Sequence, residues 1–297
     1  VGSEMCIRDS ITLDTATPIN HRLVDDLAPQ LIALDMDGTL LNPEGQLPHD
    51  FAELKALAAE NESVLIPASG RQLATLQKMF PDFDAFIAEN GAVVMRDNEI
   101  IASFPLPPEA VRRVLAASSE FPAEHTLVLC TPECAFIKRD IPEHAIQEIA
   151  KYYSAVKWVE SLDEVPLDNV IKIAAYCKDG SEANLAPTVR KVVPEHTVAI
   201  SGKVWLDVMA DGVDKGKALT AMAKLSDVAL SETAAFGDFL NDYELLRAAG
   251  LAVAMENAHP QLKEIADIIA PSNADNGVST VLRKLFAESA TSNLGTS

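Results

Sequence analysis

Basic residues are scarce in this chain. Lysine and arginine total 24 against 44 aspartates and glutamates, a net charge of −20 at neutral pH. A field of that sign repels nucleic acid and anionic membrane surfaces, so neither is an expected partner. It also repels an anionic substrate, which would have to meet cations gathered locally. Long apolar runs are missing too, and no stretch approaches the roughly 20 residues of a membrane span. Only 4 cysteines occur, at Cys6, Cys130, Cys134 and Cys177. Cys130 and Cys134 have no second Cys or His pair at zinc spacing, so free thiols in a reducing, cytoplasmic compartment are expected. None of the 6 histidines stands in a motif with a nucleophile, which leaves a His-based triad unsupported. There is no internal repeat and no low-complexity block.

Residues 1–10 lack the basic start and apolar centre of a secretion signal and read as a leader outside the fold. Residues 11–29 have little periodicity and read as a loose N-terminal segment. Ser, Thr, Asn and Gly dominate 289–297, expected to form a flexible tail. Between these ends lies a chain rich enough in apolar residues, 48% of 297, to bury a substantial core in one large domain or two ordinary ones.

The apolar run Leu31-Ile32-Ala33-Leu34 has the pattern of a parallel strand covered on both faces. It ends in Asp35-Met36-Asp37-Gly38, two carboxylates two residues apart and a glycine that permits a sharp turn. Two acids so close repel unless a cation lies between them or one keeps its proton. The run therefore points to a hard-metal site, an acid/base pair, or both. Apolar strands at 63–68 and 85–88 alternate with helical stripes at 48–61 and from 72 onward, a rhythm that predicts right-handed crossovers and a parallel sheet. In such sheets ligands gather outside the carboxyl ends of the strands, where Asp35, Ser69 and Asn90 fall.

After Gly91 the rhythm changes. A hairpin signal at 92–104, adjacent strands at 125–130 and 134–139, and helices at 107–121, 143–153 and 181–193 predict an inserted α+β module with an antiparallel sheet at 92–201. Strands at 204–209, 233–236, 251–254 and 267–270, separated by helices, bring the α/β rhythm back. The expected plan is a discontinuous core at 30–91 and 202–288 interrupted by a 92–201 cap.

Further polar residues fall at element ends. Ser69 offers a hydroxyl, Lys215 a cation at the start of a helix whose free N–H groups favour an anion, and Asp238 and Asp242 two more carboxylates. Four carboxylates call for a divalent cation such as Mg²⁺. A lysine and a hydroxyl beside it make a pocket for a phosphoryl group, whose transfer needs mainly positioning and charge neutralisation.

The segments Leu34-Asp35-Met36-Asp37-Gly38-Thr39-Leu40, Ser69-Gly70-Arg71, Lys215-Gly216-Lys217-Ala218-Leu219 and Gly237-Asp238-Phe239-Leu240-Asn241-Asp242 resemble, in order, the four motifs of the haloacid dehalogenase (HAD) superfamily. An insert between the second and third motifs is similar to that of the Cof-type, subclass IIB sugar-phosphate phosphatases. Local matches continue at 89–92, 253–258 and 272–278, and the resemblance spans about residues 30–287. It implies a Rossmann-like α/β core with a mainly parallel sheet, an α+β cap, and a Mg²⁺-dependent phosphatase acting on small phosphorylated metabolites.

By motif, the resemblance makes Asp35 the nucleophile and Asp37 the acid/base. Thr39, Ser69, Gly70 and Asn241 become phosphate contacts and Lys215 a charge neutraliser. The metal would be held by Asp35, the Asp37 main chain, Asp238 and Asp242. Departures are small: Leu246 replaces a common Met, and Phe239-Leu240 are bulkier than usual. A phosphosugar mutase of the same cap type, or a non-catalytic metal-binding relic, are the alternatives. Arg71 is open between binding substrate and pairing with a core carboxylate, and Asn90 between a turn residue and the cleft. Lys138, Arg139 and Lys172 are candidate substrate cations, Trp158 and Trp205 are expected to pack, and Lys217 to be a solvated charge. Nothing in the sequence sets a monomer against a dimer.

Overall fold

The computed structural model describes residues 11–12 and 28–292, with side-chain surroundings for 28–287. The expected leader, most of the N-terminal segment, Cys6 and the end of the tail lie outside the described residues. The chain forms two compact units, Val1–Ala68 with Leu219–Ser297 and, between them in sequence, Ser69–Ala218.

The first unit begins with β1 (Ile11–Thr12), β2 (Leu31–Leu34), α1 (Phe51–Glu60) and β3 (Val64–Pro67). The second unit carries α2 (Leu73–Met79), β4 (Phe86–Ala88), β5 (Val93–Arg96), β6 (Glu99–Ser103), α3 (Pro108–Ser118), β7 (Thr126–Cys130), β8 (Ala135–Lys138), α4 (Glu143–Ile149) and β9 (Val156–Val159). It continues with β10 (Lys172–Tyr176), α5 (Ser181–Asn184), α6 (Ala186–Val192), β11 (Thr197–Ile200) and β12 (Trp205–Met209). The helix α7 (Lys215–Leu225) carries the chain back to the first unit. There follow β13 (Thr233–Gly237), α8 (Tyr243–Ala248), β14 (Leu251–Met255), α9 (Pro260–Ile265), β15 (Ile268–Ala270) and α10 (Gly277–Ser292).

In the first unit a six-stranded sheet runs in the order β1-β15-β14-β13-β2-β3, and every pairing is parallel. Its central strands read LIAL, TAAFG and LAVAM and are buried along their whole length, as a sheet covered by crossover helices requires. The helices α8 and α9 pack on β13 and β14, and α1 packs on β3 and α10. The edge strand β1 adds a pairing to Ile268 and Ile269 that the sequence pattern gave no sign of.

In the second unit a six-stranded sheet has the order β11-β12-β10-β7-β8-β9, and a three-stranded sheet the order β4-β5-β6. Several expectations change here. β4 does not extend the parallel sheet but pairs antiparallel with β5. The reason is local: Glu89, Asn90 and Gly91 all take positive φ and fold the chain straight back. β12, expected to reopen the α/β core, pairs antiparallel with β10 and β11. The limits expected for the cap, 92 and 201, therefore lie inside the second unit. β9 was not anticipated, and it joins β8 in parallel, so the sheet is not wholly antiparallel. The helix expected over 181–193 is split at Leu185, because Pro187 has no N–H for the preceding turn and its ring crowds the carbonyl there. Among the described residues no helix is long and apolar enough to cross a membrane.

Candidate active site

The parallel register explains how distant acids meet in the first unit. Leu34 of β2 lies opposite Phe236 of β13, and the Asp35 N–H donates to the Phe236 carbonyl at 3.1 Å. The residues just beyond both strands are thus neighbours: Asp35 after β2, and Asp238 after β13. The chain then winds tightly, with the Leu40 N–H on the Asp35 carbonyl and the Thr39 and Leu41 N–H groups on the Met36 carbonyl. Gly38 makes this turn possible. Its φ is +85°, and a Cβ there would collide with the Asp238 carboxylate.

Asp242 completes the group. It sits at the N-cap of α8, fully buried, and its Oδ2 accepts from the N–H groups of Asp238 at 3.1 Å and Phe239 at 3.3 Å. One carboxylate oxygen from each of Asp35, Asp238 and Asp242 lies within 4.8 Å of the other two. Three carboxylates at that spacing are a donor set of hard oxygens, suited to a divalent cation. The Thr39 hydroxyl donates to Asp238 Oδ1 at 3.3 Å. Asn241 is half-buried in the turn before α8. Asp37, two residues from Asp35, is exposed and its side chain is not a member of the trio.

Two asparagines with no role assigned from sequence brace this loop. Asn257, just past β14, donates through Nδ2 to the Gly38 carbonyl at 2.8 Å and accepts the Asn273 N–H at 3.1 Å. Asn273, past β15, donates to the Leu41 carbonyl at 2.8 Å. Their signal was positional: polar amides immediately after buried strands, inside the local matches at 253–258 and 272–278.

The second unit gathers Ser69, Gly70, Arg71, Asn90 and Lys215. The loop at 69–71 is laced to the end of β4: Ser69 N–H to the Ile87 carbonyl, Asn90 N–H to the Ser69 carbonyl, and Glu89 N–H to the Arg71 carbonyl. The Ser69 hydroxyl accepts the Arg71 N–H at 3.1 Å. Gly91, at φ +96°, lets the Asp214 carbonyl and the start of α7 approach closely, and a Cβ there would strike that carbonyl. Asp214 caps α7 by accepting the Lys217 N–H at 2.7 Å. Lys215 is fully buried and Lys217 exposed.

The Arg71 guanidinium donates to the Lys151 carbonyl at 2.6 Å and stacks 4.9 Å from the Tyr152 ring centre. Asn90 is buried in a left-handed conformation and donates to Asp207 Oδ2 at 2.5 Å. Lys138 is exposed, and Arg139 pairs with Glu160 at 2.9 Å. Trp205 packs among Tyr152, Tyr153 and Tyr176, whereas Trp158 lies near the surface. Cys130, Cys134 and Cys177 are free and buried.

Lys172 is not a surface cation. Only 1% of its side chain is exposed, and its ammonium meets Glu89 Oε2 at 2.5 Å and the Gly70 carbonyl at 2.7 Å. Burial acts to lower its pKa, but the Asp207 and Glu89 carboxylates outweigh that and hold it well above an ordinary lysine. Burial raises the carboxyls of Glu89 and Asp207, against the pull of Lys172. The nearby Cys130 thiol and Tyr153 hydroxyl are pushed up by burial as well.

Known proteins share this plan. The family profile of haloacid dehalogenase-like hydrolases matches residues 32–282. A 5-amino-6-(5-phospho-D-ribitylamino)uracil phosphatase from Escherichia coli (strain K12) is 28% identical over 268 residues, covering 88% of this chain and 97% of that protein. The solved structure of SMU.1108c from Streptococcus mutans UA159 superposes with a TM-score of 0.80 at 26% identity, covering 88% of this chain and all of that one. The HAD subclass IIB sugar phosphatase BT4131 shares the fold, with a TM-score of 0.74 at 23% identity over 86% of this chain and 98% of its own. With all four motifs present, most of its length matched, and an acidic trio at the ends of β2 and β13, the chain belongs to the haloacid dehalogenase-like hydrolases.

Proposed function

We propose that this phosphatase hydrolyses small phosphorylated metabolites, sugar phosphates among them, through an aspartyl-phosphate on Asp35. The observation that carries the reading is the placement of Asp35 at the carboxyl end of a buried parallel strand, inside a trio of carboxylates with Asp238 and Asp242. Asp35 is the nucleophile: its carboxylate oxygen attacks phosphorus as the bond to the leaving alcohol oxygen breaks. Asp37, exposed beside the trio, gives its proton to that oxygen and then takes one from the water that attacks the aspartyl-phosphate. Inorganic phosphate leaves and both carboxyl groups return to their starting states.

Thr39, Ser69, Gly70 and Asn241 hold the phosphoryl oxygens, and Lys215 neutralises their charge. Asp35, Asp238 and Asp242, with the Asp37 main-chain carbonyl, would hold Mg²⁺, which when bound supplies the positive charge that the phosphoryl group and the acids require. The residues around 92–201 act as the cap that reads the leaving group and excludes water. Similarity to an E. coli phosphatase of a phosphorylated ribityl compound supports a small phosphorylated substrate. The buried free thiols support a reducing, cytoplasmic setting.

A panel of phosphorylated metabolites, scored for phosphate release with and without Mg²⁺, tests the substrate class. Asp35→Asn is expected to abolish turnover while the circular dichroism spectrum stays that of the wild type. Retained activity in that variant overturns the mechanism, and isomerised sugar phosphate without free phosphate overturns hydrolysis.

A further inference from the structure

We propose that Lys172 is a positioning residue for Ser69, acting through the peptide that joins Gly70 to Arg71. It rests on the reading of Ser69 as a phosphate contact. The links are all within the second unit. The Lys172 ammonium donates to the Gly70 carbonyl at 2.7 Å. The N–H of that same peptide group, on Arg71, donates to the Ser69 Oγ at 3.1 Å. Charge on the ammonium pulls electron density toward the carbonyl oxygen and makes the peptide N–H a stronger donor. A hydroxyl oxygen that accepts a stronger bond has a more acidic proton, and so becomes a better donor itself. The Ser69 proton is then free to serve a phosphoryl oxygen.

The surroundings fix both ends of this relay. Lys172 stands at the first position of β10, opposite Cys130 and Met209 in the two neighbouring strands, so its stem is clamped by the sheet. Its ammonium is held against Glu89 at 2.5 Å and lies 5.4 Å from the Tyr153 ring centre. Asp207, on β12, takes the Asn90 amide at 2.5 Å. The Ser69 N–H and carbonyl are fixed by Ile87 and Asn90. The ammonium bond to the Gly70 carbonyl comes in addition to the backbone bonds that set the course of the loop. Besides balancing the Glu89 and Asp207 charges, the cation polarises one peptide.

Lys172→Met alone would leave Glu89 and Asp207 facing each other without a counter-charge, so the test uses Glu89→Gln as the reference background. In that background Lys172→Met is expected to weaken competitive inhibition by inorganic phosphate by about 5-fold to 20-fold. The KM for a phosphorylated metabolite should rise in parallel, with a cooperative thermal transition retained. With Ser69→Ala also present, adding Lys172→Met should change phosphate inhibition less than 2-fold, since the acceptor of the relay is gone. An equal loss in the two backgrounds overturns the proposal while leaving Ser69 as a phosphate contact. No effect of Ser69→Ala by itself overturns that reading of Ser69, and the proposal with it.

Discussion

Replacing Asp242 by asparagine separates what the acidic trio does for the fold from what it does for a metal. Asp242 is fully buried, and its Oδ2 accepts two backbone N–H groups. An asparagine carbonyl can take both bonds, so the turn into α8 survives. What disappears is one negative charge of three held within 4.8 Å. At that separation and an effective dielectric of about 20, each pair of carboxylates repels by roughly 3 kcal/mol. Without a divalent cation the substitution should therefore stabilise the protein, by about 1–3 kcal/mol after solvent has screened part of the repulsion. The expected readout in EDTA is a rise in Tm of roughly 2–4 °C for each kcal/mol. Addition of Mg²⁺ should raise the wild-type Tm and leave that of Asp242→Asn nearly unchanged, reversing their order. Asp242→Ala provides the contrast, for it orphans two N–H groups and should cost about 1–3 kcal/mol for each that water cannot reach. A fall in Tm for Asp242→Asn in EDTA, or an unchanged response to Mg²⁺, would refute the account of the trio as a repulsive site that awaits a cation.

Two further outcomes follow from particular residues. Gly38→Ala places a Cβ against the Asp238 carboxylate at a φ of +85°; the left-handed backbone alone costs about 1–2 kcal/mol, so denaturant melts should show at least that loss, together with loss of phosphatase turnover. At the N-cap of α1, burial acts to raise the Asp50 pKa, but bonds from Arg283 and Ser279 outweigh it and hold it below the ordinary value. A depressed carboxyl stabilises the fold above its unfolded pKa, near 4, and that contribution is lost as pH falls through the lower, folded value. Arg283 is 45% exposed, so Arg283→Met should cost only about 0.5 kcal/mol at pH 7. The difference from wild type should shrink in melts below pH 4, and a difference that grows with acid would show the sign to be wrong.

The first unit was legible because its information is local. A run such as Leu31–Leu34 can satisfy its side chains only between two helical layers, and the acids that follow it can only be at the strand end. Parallel pairing then needs no further information to bring Asp35 beside Asp238, since Leu34 and Phe236 share a register. The second unit resisted the same reasoning. Phe86–Ala88 looks like another parallel strand until three consecutive residues of positive φ reverse it. Trp205–Met209 is buried along its whole length like the core strands, though it carries Asp207, and nothing in five residues states which sheet accepts them. Val156–Val159 is short and half-exposed, so hydrophobic alternation barely marks it.

Lys172 marks the sharpest limit of reading one chain position at a time. A lysine on an apolar strand is either a cation offered to a ligand or a buried charge with partners, and the strand itself is identical in both cases. The partners decide, and they come from far away in sequence: Glu89 and the Gly70 carbonyl from the loops around β4, and Asp207 from β12. The same holds in reverse for Asp35 and Asp37, which are alike in sequence and two residues apart. One is drawn into the trio because the neighbouring strand ends beside it, and the other is exposed because the turn at Gly38 carries the chain away. Chemical type is written locally, but whether a charged group faces solvent, a counter-charge or a like charge is set by strand register and by backbone reversals. Those are the quantities that separate a nucleophile from its proton carrier in the reading given above, and a substrate cation from a buried lysine that tunes a peptide.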